Sequence, residues 1–168
     1  MRLQPYREKD AEYIVTWTDD AKSHAKWCAN LLPYPLTKEV FHETLLKYQQ
    51  EKNHLYFTAV TDEGRPVGFF FIIPKYEAKQ AYMGFVIVDK KSRGKGCGRE
   101  MMRLAFQYIF TVLNMESATL RVYDNNEPAF KMYTAAGMKA KEHIPEALIF
   151  GEEKWGAYVM EVKSAQCV

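Results

Sequence analysis

Apolar and polar positions change period several times along the 168-residue chain. "MRLQPY" alternates between the two classes, and a period of two predicts an opening strand. Over residues 9–17, Ala11, Ile14, Val15 and Trp17 fall at near-helical spacing, and a second short helix is expected over 20–28. The two prolines of "NLLPYPL" forbid continued helix and put a loop there. Thr37 stands where a cap is needed, and Val40, Phe41, Leu45 and Tyr48 then share one face of a third helix. "HLYFTAVTDEGRPVGFFFIIPKY" reads as a hairpin turning over Asp62, Glu63, Gly64 and Arg65. "AYMGFVIV" (81–88) is apolar on both faces, which predicts a central strand. After the glycine-rich "SRGKGCGR" (92–99), Met101, Ala105, Tyr108, Ile109 and Val112 mark an amphipathic helix starting at Glu100.

"SATLRVY" (117–123) is a further strand. "NNEPAFKMYTAAG" is a helix, with Asn125 or Asn126 as cap, Pro128 in its first turn and Gly137 just past its end. Two strands, 138–143 and 155–163, joined by a loop holding Pro145, are expected to close the chain. No repeat, low-complexity stretch or linker interrupts this order, so one domain over 1–168 is the simplest organisation. The order gives a mixed α/β domain with a β-loop-α-β-α unit at its centre.

Composition narrows the function more by exclusion than by assertion. Lysines and arginines outnumber acids by only two, and the two signs are interspersed, which argues against a nucleic-acid or membrane-surface partner. No window approaches the roughly 18 consecutive apolar residues of a membrane span. The opening residues have no apolar signal core, so a cytoplasmic location is expected. Cys28, Cys97 and Cys167 form no CxxC pair, and His24, His42, His54 and His143 show no ligand spacing. Neither a disulfide framework nor a metal is expected. The many aromatics suit large apolar clefts.

The glycine loop lies between a buried strand and a helix start. A first helical turn has N–H groups without intrahelical partners at the positive end of the helix dipole. Glycines let those groups approach an anion, and a diphosphate fits such a site. Arg93, Lys95 and Arg99 add positive charge. The segment is neither GxxxxGK[ST] nor GxGxxG, because no Lys-Ser/Thr pair follows and Arg99 holds the place of the third glycine. The competing reading is a turn that only permits a tight connection. Downstream, Tyr133 follows Asn126 by about two helical turns, so both can face one side. Taken singly, Asn126 is a cap and Tyr133 a core residue.

Taken in order, the two segments resemble a known family. Val88 to Gly98, ending in "RGKGCG", is similar to the R/Q-x-x-G-x-G/A signature of the GNAT superfamily of acetyl-CoA-dependent N-acetyltransferases. "NEPAFKMYTAAGM" (126–138) resembles that superfamily's N-x-x-A-x-x-x-Y-x-x-x-G-F helix, with Met138 for the usual phenylalanine, and Lys90 stands where many members have proline. The terminal "YVMEVK" resembles its last strand, and the opening "RLQPYREKDAEYIVTW" is similar to the branch of RimJ/RimL type. The resemblance implies a mostly antiparallel sheet of about seven strands with four to five flanking helices. Its central strands splay apart to hold acetyl-CoA as co-substrate.

It also implies roles. The pyrophosphate of coenzyme A would sit on the segment Arg93, Gly94, Lys95, Gly96, Cys97, Gly98 and Arg99. The pantetheine arm would pair with the backbone around Val86 and Val88 and meet Asn126. An N–H of the same strand would stabilise the oxyanion of a tetrahedral intermediate, a donor whose removal typically costs about 100- to 1000-fold in rate. Tyr133 would protonate the leaving thiolate, since a phenol remains protonated at neutral pH. The amine attacks directly, so Cys97 is not required as a nucleophile.

The sequence names no base; His24, Glu43, Glu77 and Glu127 are the candidates, none of them in a motif. For the acceptor, residues 24–36 offer Trp27 and Tyr34, and the last segment offers Trp155 and Tyr158 beside Glu152 and Glu153. Aromatics beside acids suit a cationic amine. A protein N-terminus, a polyamine, an amino acid or an aminoglycoside would fit, and dimers are common in the family. The alternative to an enzyme is a non-catalytic module that senses acetyl-CoA.

Overall fold

The computed structural model describes residues 1–164; Cys167 of the cysteine pattern lies outside them. Its strands are β1 (Arg2–Pro5), β2 (Leu55–Val60), β3 (Pro66–Lys75), β4 (Gln80–Val88), β5 (Ser117–Tyr123), β6 (Lys139–Phe150) and β7 (Glu153–Lys163). Its α-helices are α1 (Ala11–Ile14), α2 (Ala21–Cys28), α3 (Lys38–Lys52), α4 (Cys97–Gln107) and α5 (Glu127–Ala135). All seven strands form one sheet in the order β1-β2-β3-β4-β5-β7-β6. Every neighbouring pair is antiparallel except β4 with β5.

That one parallel pair is short. It runs only from Gln80 opposite Ser117 to Tyr82 opposite Thr119. Beyond it β4 stays with β3 up to Val88, while β5 stays with β7 up to Tyr123. The sheet therefore forks at Tyr82 and Thr119, the splay expected for the family.

Two apolar cores lie on opposite faces of the sheet. On one, Met101, Met102, Ala105 and Phe106 of α4 and Tyr133 of α5 pack on Phe70, Ile72, Met83, Leu120 and Met160. On the other, Ile14, Trp17, Cys28, Phe41 and Leu45 pack on Tyr56, Phe69, Phe71, Phe85 and Ile87. Each fully buried side chain of this size contributes about 1.5–3 kcal/mol relative to exposure. The partition exposes a break in β4. Met83 and Phe85 are two apart, so on a regular strand they would share a face. Here they belong to different cores. Phe85 has φ +50°, and β4 advances from Gly84 to Ile87 while β3 advances only from Phe71 to Phe69. One extra residue is accommodated as a bulge, which turns the following side chains to the other face.

The structure differs from the sequence reading in four places. The first predicted helix is a 3-10 turn (Glu8–Asp10) running into α1, four residues long. Helix α4 starts three residues early, inside the glycine segment, at Cys97. Its end opens into a π-turn over Tyr108–Val112, with the Leu113 N–H reaching back to the Tyr108 carbonyl at 3.1 Å. The wider turn rotates Val112 out, leaving it 62% exposed instead of on the core face. The loop expected at Pro145 is part of β6, which stays paired with β7 on both sides of an irregularity between Ile144 and Leu148. An edge strand tolerates proline there because Pro145 falls within that irregularity, outside the paired register, and no strand lies on the other side of β6.

Candidate active site

The fork presents one edge of β4 beyond Tyr82 that no strand covers, since β3 occupies the other edge. Unpaired strand edges accept an extended chain by backbone hydrogen bonding. Val86 and Val88 lie on this stretch, half-buried, just past the bulge. This geometry fits an extended arm lying between β4 and β5.

At the outer end of β4 the chain makes a 3-10 turn (Lys90–Ser92), passes through the glycines and enters α4. Gly94 has φ +71° and Gly96 φ +81°, left-handed conformations that side chains disfavour. Nothing lies within 4 Å of where a Cβ would stand on either, so the outside of the loop is open. Gly96 is the cap residue of α4 and brings no capping side chain. The Glu100 N–H bonds the Gly96 carbonyl at 3.0 Å, which leaves the preceding N–H groups of the first turn, at Cys97, Gly98 and Arg99, for a ligand. The positive end of the helix and exposed Lys95 and Arg99 give the loop the chemistry that holding an anion requires. Gly98 has a second use: a Cβ there would stand 3.3 Å from Met132, so its absence lets α4 and α5 approach.

Arg93 departs from expectation. Its Nε donates to the Val88 carbonyl at 3.0 Å and its terminal nitrogen to the Trp17 carbonyl at 2.9 Å. The guanidinium clips the loop to β4 and to the segment after α1 instead of facing the anion site. Cys97 is a half-buried free thiol.

Helix α5 begins beside the far wall of the fork. Asn126 occupies its cap position with φ −114° and ψ 59°, and its side chain makes no capping bond, leaving the amide for another partner. Two turns on, Tyr133 is 5% exposed. Burial pushes its hydroxyl pKa well above the ordinary phenol value, and Tyr82 at the root of the fork pushes it further the same way. The phenol stays protonated through the physiological range, as a proton donor must. Asn126 and Tyr133 thus stand on the one helix that follows β5.

The bulge is held from the other face. The Trp27 indole N–H of α2 donates to the Phe85 carbonyl at 2.8 Å, with the two rings 5.9 Å apart. The sequence assigned Trp27 to the acceptor pocket; its contact with the strand backbone had no sequence signal, since Phe85 is not a residue type that announces a left-handed conformation. Trp155 is buried, its ring 5.4 Å from Tyr123, with its N–H on Glu153 at 2.9 Å. Tyr158 points to the opposite face, against Phe130 of α5 and His143, and leaves the expected acceptor set. Exposed Tyr34 donates to the Asp19 carbonyl at 3.3 Å, and Glu152 lies exposed in the β6–β7 turn.

None of the four base candidates combines access with a free basic atom at the fork. His24 is buried beneath Trp27 and Tyr34, its Nε2 3.2 Å from the Leu32 carbonyl, and burial lowers its pKa. Glu43 and Glu77 are exposed on α3 and in the β3–β4 turn, and Glu127 is bonded to Lys131 at 2.6 Å. Among the described residues, no group of three or more His, Cys, Asp or Glu is placed to hold a metal ion, and no helix is long and apolar enough to cross a membrane.

Comparison with known proteins bears on the family and the fold. Residues 9–138 match the model of the acetyltransferase (GNAT) family. The chain is 24% identical over 155 residues to spermidine N(1)-acetyltransferase of Escherichia coli strain K12, covering 90% of this chain and 80% of that protein. A spermidine N-acetyltransferase from Vibrio cholerae, solved in complex with CoA and spermine, superposes with a TM-score of 0.83 at 19% identity, over 98% of this chain and 96% of that one. A chimera of Vibrio cholerae SpeG and hSSAT superposes with a TM-score of 0.81 at 18% identity, over 98% and 96%. These relatives give no support to the RimJ/RimL branch suggested by the opening segment. With the family model spanning most of its length, the chain belongs to the acetyltransferase (GNAT) family and is an acetyl-CoA-dependent N-acetyltransferase.

Proposed function

We propose that the acceptor is the primary amine of a small molecule, that it enters from the α2 face of the fork, and that Tyr133 is the acid of the reaction. The fork itself carries the proposal. It opens an uncovered β4 edge between an anion loop and a buried phenol held protonated. Acetyl-CoA would lie with its diphosphate on the N–H groups from Gly94 to Arg99 and its arm against Val86, Val88 and Asn126. Bound there, it supplies an activated acetyl group.

This chain's residues do the rest. The backbone at the bulge, held by Trp27, offers a strand N–H to the carbonyl oxygen that gains charge as the amine attacks. The Tyr133 hydroxyl gives its proton to the sulfur as the carbon–sulfur bond breaks; the proton shed by the attacking amine passes to solvent, none of the four candidate bases being placed to take it, and the tyrosinate regains a proton from solvent. The relatives that act on spermidine support a small amine over a protein N-terminus.

Release of free thiol from acetyl-CoA, measured against amines, amino acids and ribosomal N-terminal peptides, tests both parts. Turnover of small amines is expected, with Tyr133→Phe lowering kcat by about 100-fold or more at little change in acetyl-CoA KM. Full activity in Tyr133→Phe would remove the acid assignment, and faster turnover of the peptides would remove the small-molecule acceptor.

A further inference from the structure

Past the fork, β5 turns alternate residues to the α2 face. Thr119 is the last residue paired with β4, and Arg121 and Tyr123 follow it on the same face. Tyr82 stands opposite on β4, and its ring belongs to the core on that face. Arg121 is thus the first side chain on the β5 bank of the opening through which an acceptor must come. It is exposed although it lies mid-strand and mid-sheet, and it makes no hydrogen bond or ion pair among the described residues.

Its surroundings are short of available negative charge. Tyr123 packs on Trp155, and the ammonium groups of Lys22 and Lys26 each stand 5.9 Å from the Trp155 ring centre. Glu153, which the sequence offered as a partner for a cationic amine, is held by Lys22 at 2.7 Å and by the Trp155 N–H. Lys26 donates to the Asn125 carbonyl, and the acids that feel its charge are already engaged: Glu153 as above, and Asp20, whose carboxylate accepts from the Ser23 N–H and hydroxyl at the start of α2. On β7, Val159 faces Arg121 directly, and Glu161, next along that face, is bonded to Lys141 at 3.0 Å. Glu142, opposite Val159 on β6, is exposed a further strand away. Asp124 is on the other face with His143.

From this we infer that the acceptor carries an oxyanion, a carboxylate or phosphate, in addition to its amine, and that Arg121 binds it with Lys26 at the rim. A guanidinium presents paired donors that match such a group, whereas an acceptor with several ammonium groups would meet like charge at the entrance. The inference rests on the small-amine reading above and narrows it. It also separates this chain from relatives named for spermidine.

Calorimetric titration of the CoA-bound protein at low salt reads the preference whether or not transfer occurs. The probes are γ-aminobutyrate and aminoethyl phosphate against putrescine. One of the anionic amines is expected to bind about tenfold more tightly than putrescine, and which of them wins identifies the oxyanion. Arg121→Gln should abolish the difference and Arg121→Lys retain part of it, both with unchanged melting temperature and unchanged CoA affinity. Tighter binding of putrescine, binding of none of the three, or a loss in Arg121→Gln that falls on CoA affinity overturns the inference. Absence of thiol release with every amine, alongside a clear anionic preference in calorimetry, would instead count against the catalytic reading alone.

Discussion

The two banks of the fork are built on opposite plans. Beyond Tyr82, β4 is packed on one face by Phe71 and Trp27 through Phe85, with Phe41 behind Trp27, and on the other by the methionines of α4. Its opposite number β5 has the same core behind it but turns Arg121 to open space. The packed bank is where a backbone must hold an unusual conformation, because Phe85 at φ +50° persists only if its neighbours overdetermine it. The open bank is where a side chain can be exchanged without disturbing that backbone. On the roles proposed above, reaction geometry would belong to the first and acceptor choice to the second.

The sharpest way to break this contrast is to change one side chain on each bank. Gly84 lies directly across from Phe71, and a Cβ there would stand 2.2 Å from the tip of the Phe71 ring. That ring is buried among Phe85, His54 and Tyr82 and has nowhere to go. Gly84→Ala should cost about 3 kcal/mol, a melting-temperature drop of roughly 6–12 °C. Arg121→Ala should stay within about 0.5 kcal/mol of the parent. Equal shifts for the two variants would erase the distinction between the banks.

A somewhat smaller effect comes from acid. His54 stacks on Phe71 with ring centres 4.5 Å apart; its Nδ1 lies 3.1 Å from the Tyr56 hydroxyl and its Nε2 has no partner. Burial, with a lesser contribution from the Lys52 charge, lowers its pKa to about 4. The folded-state pKa lies below the ordinary histidine value, so the unfolded chain takes up the proton first as pH falls. The stabilisation is complete above about pH 6.5 and is lost progressively toward pH 4, by about 2 kcal/mol between pH 7 and 5. Urea midpoints across that range should fall less steeply in His54→Phe than in the parent. Parallel slopes would mean that the packed bank has no titrating group of consequence.

The sequence made the glycine loop and the α5 motif legible because both depend on residue type at fixed spacing. Gly94 and Gly96 supply left-handed backbone, and Asn126 and Tyr133 stand two turns apart on a helix. It made the strands legible by period. What it hid were contacts made by backbone. Arg93 looks like an anion ligand until its guanidinium is found on two carbonyls. The start of α4 was hidden by Gly98, which reads as loop yet serves helix packing. Tyr158 and Trp155 were grouped by proximity in sequence although an odd separation puts them on opposite faces. The strand continuing through Pro145 was hidden because proline marks a break only where a strand has neighbours on both sides. The bulge had no sequence mark: Phe85 is one more apolar residue in a run of them.

That bulge gives the comparison its most discriminating test. Trp27 touches it in two ways, by ring packing and by the single hydrogen bond from its indole to the Phe85 carbonyl. Trp27→Phe retains much of the packing and removes the bond. If the bond only contributes stability, the variant loses melting temperature and keeps its kinetic constants. If it sets the peptide between Phe85 and Val86, the N–H on the far side of that peptide is misdirected when the bond is lost. Charge developing on the carbonyl oxygen is then stabilised less well, while the ground state binds as before. The expected result is about a tenfold fall in kcat with unchanged KM for both substrates, smaller than the loss for deleting an oxyanion donor because the N–H is still present. A change confined to acceptor KM would move Trp27 to the open bank and into the acceptor pocket, where the sequence alone had put it.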